Sequence, residues 1–256
     1  MKDTQMFDNA SASKRIKSAI QASRSPVAVL MLDEVPAHAS RFKGAVAAGC
    51  VFWEKAGEKA IATTGLDHGQ CAIGVYTHNL ADPPANYQTE LANVLAVLGD
   101  MQYARPDDVA QIPVMKERKK YVVYSPLEDC TTTPDVVLIF AQAGQGLIIT
   151  EAIQQVDGGV PPALGRPACA VIPQVINSGR AALSLGCCGA RAYLSILTDD
   201  VAMWALPGAK LQDYTERIAA LSEANRILGK FHQLRMDDVA AGRMPSYQDS
   251  LARLQA

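Results

Sequence analysis

The chain has 256 residues, of which 49% are hydrophobic and 20% are charged, and its formal net charge is −2. A chain of this size can bury a core that needs neither disulfides nor metal for stability, and its near-neutral charge argues against nucleic acid as the main partner. The N-terminal residues carry no apolar stretch typical of a secretory signal, and no apolar run is long enough to span a bilayer. We therefore expect a cytoplasmic protein in a reducing compartment.

Helix and strand patterns alternate along the first half of the chain. The predicted elements are an amphipathic helix over residues 11–24, a buried strand over 26–32, a helix over 40–56, a short strand over 59–64 and a helix over 86–101. The helices show apolar residues at a period near 3.6, and the first strand is a continuous apolar run, which is typical of a buried strand.

The second half continues the alternation and ends in a helical segment from about residue 209 to 256. Strands are predicted over residues 120–124, 134–140, 181–185 and 201–206, and helices over 145–156 and 211–234. Because strands and helices alternate, we expect an α/β or α+β fold with a mixed β-sheet and surrounding helices. The chain contains no linker, repeat or low-complexity segment, which predicts a single compact unit over residues 1–256.

The six cysteines are the main chemical feature of the sequence. They are Cys50, Cys71, Cys130, Cys169, Cys187 and Cys188. No two stand in a C-x-x-C pair, so the local spacing of a zinc ribbon, a thioredoxin or a bacterial ferredoxin is absent. In a reducing compartment, clustered cysteines more often bind metal or react than form disulfides, although an isolated buried cysteine is often inert.

Four cysteines lie beside glycine or proline turns rather than within an element, namely Cys50, Cys71, Cys169 and Cys187. Cys187 is the most informative, because it falls between a predicted strand and a predicted helix. A cysteine at a helix N-terminus has its thiolate stabilised by the helix dipole and by free backbone N–H groups, and the thiolate is the form that binds metal.

Several short motifs between about residues 26 and 207 occur together in this chain. They are Pro26-Val-Ala-Val, Cys50, the turn ending in Cys71 with Gly74 behind it, Ser125-Pro-Leu, Pro134-Asp-Val-Val, Cys169 and Cys187-x-Gly189-x-Arg191. On these motifs the chain resembles the DUF169 family of uncharacterised proteins, found largely in anaerobic bacteria and archaea. The resemblance implies that Cys50, Cys71, Cys169 and Cys187 are the family cysteines and that Cys130 and Cys188 are incidental. It implies no settled reaction.

Four thiolates suit either zinc or an iron–sulfur cluster. The anaerobic distribution of the family favours a [4Fe–4S] cluster, in a redox or cluster-dependent enzyme that acts on a small molecule or exchanges electrons with a partner protein. Four cysteine ligands give a closed cluster, whereas three leave one iron open as a Lewis acid. Cys169 is then the expected missing ligand, since no glycine pair flanks it.

Four further residues are candidates for a role beside the metal. His68 precedes Cys71 by three residues and is a candidate ligand or proton donor, with Asp67 a candidate to orient its imidazole. Arg191 lies four residues after Cys187 and Arg166 three residues before Cys169, and either is a candidate to neutralise a cluster or to hold an anionic substrate. No role is predicted for His38, His78 or His232.

Two alternatives to the cluster stay open. A haem or other tetrapyrrole accessory protein would use His68 or Cys71 as an axial ligand, without covalent attachment because no C-x-x-C-H motif is present. A zinc-stabilised, non-catalytic subunit is the other alternative. The long helix over residues 211–234 carries an apolar face that is compatible with a homodimer.

Overall fold

The computed structural model describes residues 8–255, and within this range the chain forms ten α-helices and eight strands. The helices are α1 (Asn9–Ile20), α2 (Val51–Lys55), α3 (Ala72–His78), α4 (Tyr87–Asp100), α5 (Pro106–Ala110), α6 (Ala143–Val156), α7 (Val171–Ser178), α8 (Cys188–Tyr193), α9 (Leu211–Ala240) and α10 (Tyr247–Gln255). The strands are β1 (Val27–Leu32), β2 (Ser40–Arg41), β3 (Ile61–Thr63), β4 (Tyr121–Pro126), β5 (Val136–Gln142), β6 (Ala163–Leu164), β7 (Ala182–Ser184) and β8 (Val201–Pro207).

All eight strands belong to one mixed sheet in the order β2-β3-β4-β1-β5-β8-β7-β6. The two outermost pairs, β2 with β3 and β6 with β7, are parallel, and the other neighbours are antiparallel. This confirms the prediction of an α/β fold with a mixed sheet. The ends of the predicted domain, residues 1–7 and 256, lie outside the described residues.

Side chains that alternate along the central strands feed two separate hydrophobic cores. Along β5, Val136 and Leu138 belong to one core, whereas Val137 and Ile139 belong to the other. This follows from the two-residue repeat of a strand, which directs successive side chains to opposite faces. Helices α1, α6 and α9 cover one face, and α2, α3, α7 and α8 pack on the other, which is called the site face below.

The predicted helix over residues 40–56 is wrong over most of its length. Residues 40 and 41 form β2, which pairs with β3, and only Val51–Lys55 is helical. Gly44 adopts a φ of +137°, a conformation that side chains rarely adopt and that ends any helix passing through it. The apolar residues that suggested a helix, such as Val46, are buried in irregular chain.

Helix α4 forms where the sequence predicts it, but none of its residues is buried in a core. It packs chiefly against α3, and its apolar side faces the cavity described below. The long C-terminal helix, predicted over residues 211–234, continues to residue 240 and is followed by α10, which packs against it.

Candidate functional site

The four cysteines beside turns border a single cavity on the site face of the sheet, with a volume of about 1040 Å³. Cys50, Cys71 and Cys187 each occupy the position directly before a helix, at the starts of α2, α3 and α8. Cys169 lies in a short 3₁₀ helix that leads into α7. The fold therefore brings together four cysteines from four separate segments of the chain.

The thiols are close enough to disfavour ionisation of one another. Burial, followed by repulsion from the thiolates of Cys71 and Cys187, raises the pKa of Cys50 to about 12. The pKa of Cys169 is raised further, by burial first and then by the other three cysteines. A cation at the centre of the four sulfurs would reverse this effect, because it stabilises the charged form.

The two remaining cysteines are placed differently. Cys130 is buried in the core on the opposite face of the sheet, and its thiol donates a hydrogen bond to the carbonyl oxygen of Thr132, with the two atoms 3.1 Å apart. Cys188 is exposed at the rim of the cavity. All six cysteines are free thiols.

His68 is buried in the wall of the cavity, and its partners determine its tautomer. Its Nε2 lies 3.0 Å from the Thr63 hydroxyl, and this hydroxyl donates to the carbonyl oxygen of Val122. The hydroxyl therefore accepts from His68, so Nε2 carries the proton and Nδ1 has a free lone pair. Nδ1 has no hydrogen-bond partner among the described residues. A Cβ at Gly49 would lie only 2.5 Å from this nitrogen, so the imidazole occupies space that only glycine leaves open.

Asp67 does not orient the imidazole of His68. Its carboxylate accepts hydrogen bonds from the backbone and hydroxyl of Thr64 and pairs with Arg41 at 3.0 Å. These bonds hold the turn that leads from β3 to Cys71. The orienting group of His68 is instead the Thr63 hydroxyl.

His78, to which the sequence assigned no role, is a second buried histidine on the cavity wall. Its Nδ1 lies 2.8 Å from the carbonyl oxygen of Gly74, which can only accept, so Nδ1 carries the proton. Burial lowers the pKa of His78 to about 4 and lowers that of His68 well below its usual value. Both rings are thus neutral, and Nε2 of His78 is a second bare nitrogen without a partner in the described chain. The two ring centroids are 5.9 Å apart.

Two buried hydrogen-bond donors complete the site. The indole N–H of Trp53 on α2 and the hydroxyl of Tyr124 on β4 border the cavity and have no hydrogen-bond partner in good geometry among residues 8–255. Burial, followed by the neighbouring thiols of Cys169, Cys50 and Cys71, raises the pKa of Tyr124 well above its usual value, so the phenol keeps its proton.

Polar atoms that lack partners are concentrated at this cavity. Of the five buried side-chain nitrogen or oxygen atoms without a partner in the described range, four border it, and the fifth belongs to His38. Buried polar groups are otherwise almost always hydrogen-bonded. The cavity therefore carries two unused acceptors and two unused donors around the four thiols. Such a group of unpaired polar atoms is typical of a ligand-binding site.

The family model for DUF169, whose description is "Uncharacterised ArCR", matches residues 15–217, about four fifths of the chain. The chain belongs to the DUF169 family. The match begins in α1 and ends in α9, so it extends beyond the range of the resemblance at both ends and includes every residue of the cavity. Neither a curated protein nor a solved structure matches the chain. Among the described residues of this DUF169 protein, no helix has the length and apolarity needed to cross a membrane.

The two arginines near family cysteines in the sequence, Arg166 and Arg191, are bound to backbone carbonyl groups. The guanidinium of Arg191 donates to the carbonyl oxygens of Leu185, Thr198, Leu197 and Val201 and so ties together the chain around α8. A role for Arg191 toward a cluster or substrate stays a prediction. Arg166 donates to the carbonyl oxygen of Tyr103 at 2.7 Å and lies over its ring at 4.4 Å, at the rim of the cavity.

Soft thiolates are the usual ligands of both zinc and iron–sulfur clusters. Within residues 8–255, however, no group of three or more His, Cys, Asp or Glu side chains is close enough to hold one metal ion.

Proposed function

We propose that this DUF169 protein binds a [4Fe–4S] cluster through Cys50, Cys71, Cys169 and Cys187. The cluster would serve a redox or Lewis-acid reaction on a small molecule. The observation that carries the proposal is that four cysteines from separate segments meet at one cavity large enough for both a cluster and a substrate. Ligand cavities in proteins usually measure about 300–1,000 Å³.

The two unused donors support the proposal. Hydrogen bonds to the sulfurs of a cluster are one of the means by which a protein sets its reduction potential. The Trp53 N–H and the Tyr124 hydroxyl lie near each other, neither makes a hydrogen bond in good geometry, and Tyr124 also lies beside three of the four thiols. Such donors suit cysteine thiolates and inorganic sulfides, both of which accept hydrogen bonds.

The raised pKa of the clustered thiols also supports a bound metal. The sulfurs are packed together without the cation that would favour their ionised form, as the raised pKa of Cys50 indicates. Metal ligands must be deprotonated, so metal loading would release protons and remove the repulsion among the thiolates.

Iron analysis of protein purified without oxygen tests the proposal. We expect a brown protein that contains iron and acid-labile sulfide in near-equal amounts, and loss of both after serine replacement of Cys50, Cys71 or Cys187. Cys130→Ser is the matched control, because its thiol lies on the other face of the sheet. A colourless anaerobic preparation with stoichiometric zinc would refute the proposal.

A tetrapyrrole is the second candidate, favoured by the bare nitrogens of His68 and His78 and by the volume of the cavity. Titration with haem would then give a Soret band that is lost in His68→Ala. Unchanged absorbance on haem addition would eliminate this candidate.

Location and assembly belong to the same proposal. We place the protein in the cytoplasm, with a small molecule or a redox protein as its partner and with no role for nucleic acid or membrane. In the long helix α9, Ile218 and Phe231 are buried within the chain, whereas Leu228 is half exposed. Light scattering at low protein concentration tests for a homodimer, and cell fractionation tests the location.

A further inference from the structure

The bare nitrogens of His68 and His78 need a partner that a cluster does not supply. Both atoms are acceptors, as are thiolates and sulfides, so neither can hydrogen-bond to the cluster's sulfurs. The other nitrogen of each ring donates a hydrogen bond that holds the ring in place, Nε2 of His68 to the Thr63 hydroxyl and Nδ1 of His78 to the carbonyl oxygen of Gly74. The two acceptors are therefore fixed, buried and unused.

The rest of the cavity is suited to an apolar molecule. Val94, Leu95 and Leu98 lie on the side of α4 that borders the cavity, although none of them is buried in a core. An apolar ligand beneath α4 would remove these side chains from water and supply the packing that the helix lacks.

Two carboxylates at the rim are already paired: that of Asp67 with Arg41, and that of Asp108 with Arg105 at 2.9 Å. A third, Glu90, adds a further negative charge to the lining. Among the described residues that line the cavity, Arg166 is the one cation, and it is exposed and bound to a backbone carbonyl oxygen and a tyrosine ring. An anionic ligand would therefore meet no buried cation in this lining, and its lone pairs would face those of the two histidines.

We propose that the cavity binds, beside the four cysteines, an uncharged, largely apolar small molecule that donates hydrogen bonds to Nδ1 of His68 and Nε2 of His78. This inference rests on the proposed function, because the molecule would be the substrate on which the cluster acts. Its test therefore measures ligand binding and iron content separately.

A pair of probes isolates the role of the two acceptors. Benzimidazolone is flat, uncharged and carries two N–H donors, whereas 1,3-dimethylbenzimidazolone has the same ring without donors. Binding of each is measured under anaerobic conditions by saturation-transfer NMR on the unaltered protein. A neutral hydrogen bond changes affinity by about two- to tenfold, so we expect benzimidazolone to bind more tightly by at least that factor. Equal binding, or no binding of either probe at millimolar concentration, would overturn the proposal.

Phenylalanine variants locate the binding atoms. We expect His68→Phe and His78→Phe each to weaken benzimidazolone binding by about two- to tenfold and to leave the dimethyl probe unchanged. His232→Phe, at an exposed position of α9, is the matched control.

Iron content separates the two proposals. Full iron in His78→Phe together with weakened probe binding supports this inference. Loss of iron in that variant would show that His78 is a metal ligand and would overturn it. Selective probe binding by a protein that never holds iron would refute the proposed cluster and leave the proposed ligand site standing. A full complement of iron with equal binding of the two probes would refute the ligand site and leave the cluster standing.

Discussion

Gly49 is the position at which one added methyl group should disturb the site most directly. In Gly49→Ala the new Cβ would lie 2.5 Å from Nδ1 and 3.1 Å from Cε1 of His68. The imidazole has little freedom to withdraw, since it is bonded to Thr63 and its centroid lies 4.7 Å from that of Phe52. The backbone at residue 49 must therefore move instead, and with it the adjacent Cys50.

Overpacking of this kind costs about 1–3 kcal/mol of stability. We expect the free energy of unfolding in denaturant, measured without oxygen, to fall by that amount, and we expect iron content to fall as Cys50 is displaced. Gly229→Ala is the control, because a Cβ there meets no atom within 4 Å and the residue lies inside α9. A glycine-to-alanine change inside a helix stabilises by roughly 0.5–1 kcal/mol.

A double-mutant cycle assigns the cost to the contact between Gly49 and His68. In a His68→Ala background the clashing ring is gone, so Gly49→Ala should cost much less than it does in the wild-type background. A Gly49→Ala protein with wild-type stability and full iron would refute the reasoning. An equal cost in both backgrounds would show that the loss arises elsewhere.

Three further predictions concern the cysteines and the helix above them. Iron should be lost in the serine variants of Cys50, Cys71 and Cys187, and retained in Cys130→Ser and Cys188→Ser. Iron retained by the first three variants but lost with Cys188→Ser would show that the wrong sulfurs have been assigned. Burial and neighbouring thiols raise the pKa of Cys50 from 9.0 to about 12 on folding, so the protonated thiol is favoured in the folded state. The free energy of unfolding of metal-free protein should therefore fall as pH rises from about 9 towards 12, whereas that of metal-loaded protein should not. Denaturant unfolding at several pH values tests this, and the same pH dependence in both forms would contradict it. Leu95→Lys should weaken benzimidazolone binding with little change in melting temperature, since α4 buries no residue in a core. Val97→Lys, at a 49% exposed position of the same helix, should change neither the binding nor the melting temperature.

Elements with strong local patterns were predicted well from the sequence. The apolar run of β1, the strand β5 and the helical periods of α4 and α6 appear within a few residues of their predicted limits. A helix was also predicted after Cys187, from about residue 190, and α8 begins at Cys188. In each case the information lies within a short window of chain, which is why periodicity suffices.

The segment from residue 40 to 56 shows where local pattern fails. Its apolar spacing matched a helix, but pairing of β2 with β3 and the conformation of Gly44 placed those residues in irregular chain. A bond from the Arg41 guanidinium to the carbonyl oxygen of Ala62, 21 residues away, helps to hold this arrangement. Such long-range pairing leaves no periodic signal in the sequence.

Three residues of the site, His78, Trp53 and Tyr124, were not predicted from the sequence, and only His78 has a recognisable signal. His78 lies four residues after Gly74 and seven after Cys71, a spacing that places all three on one side of α3. That spacing is a usable signal once a helix is predicted to begin after Cys71. The local sequence indicates only a turn before Cys71 and no helix after it, so the shared side of these residues is not apparent without the structure.

The amino-acid sequence by itself determined the fold class and drew attention to four cysteines beside turns, because residue type and local period carry that information. Only the tertiary structure decided that these cysteines border one cavity, since their meeting depends on the order of strands across the sheet. It also decided the protonation of the buried histidines, which follows from partners as distant in sequence as Val122 is from His68. Hydrogen bonding in a buried site depends on which atoms the fold brings within about 3 Å of each other, and distances of that kind are set only when the chain has folded.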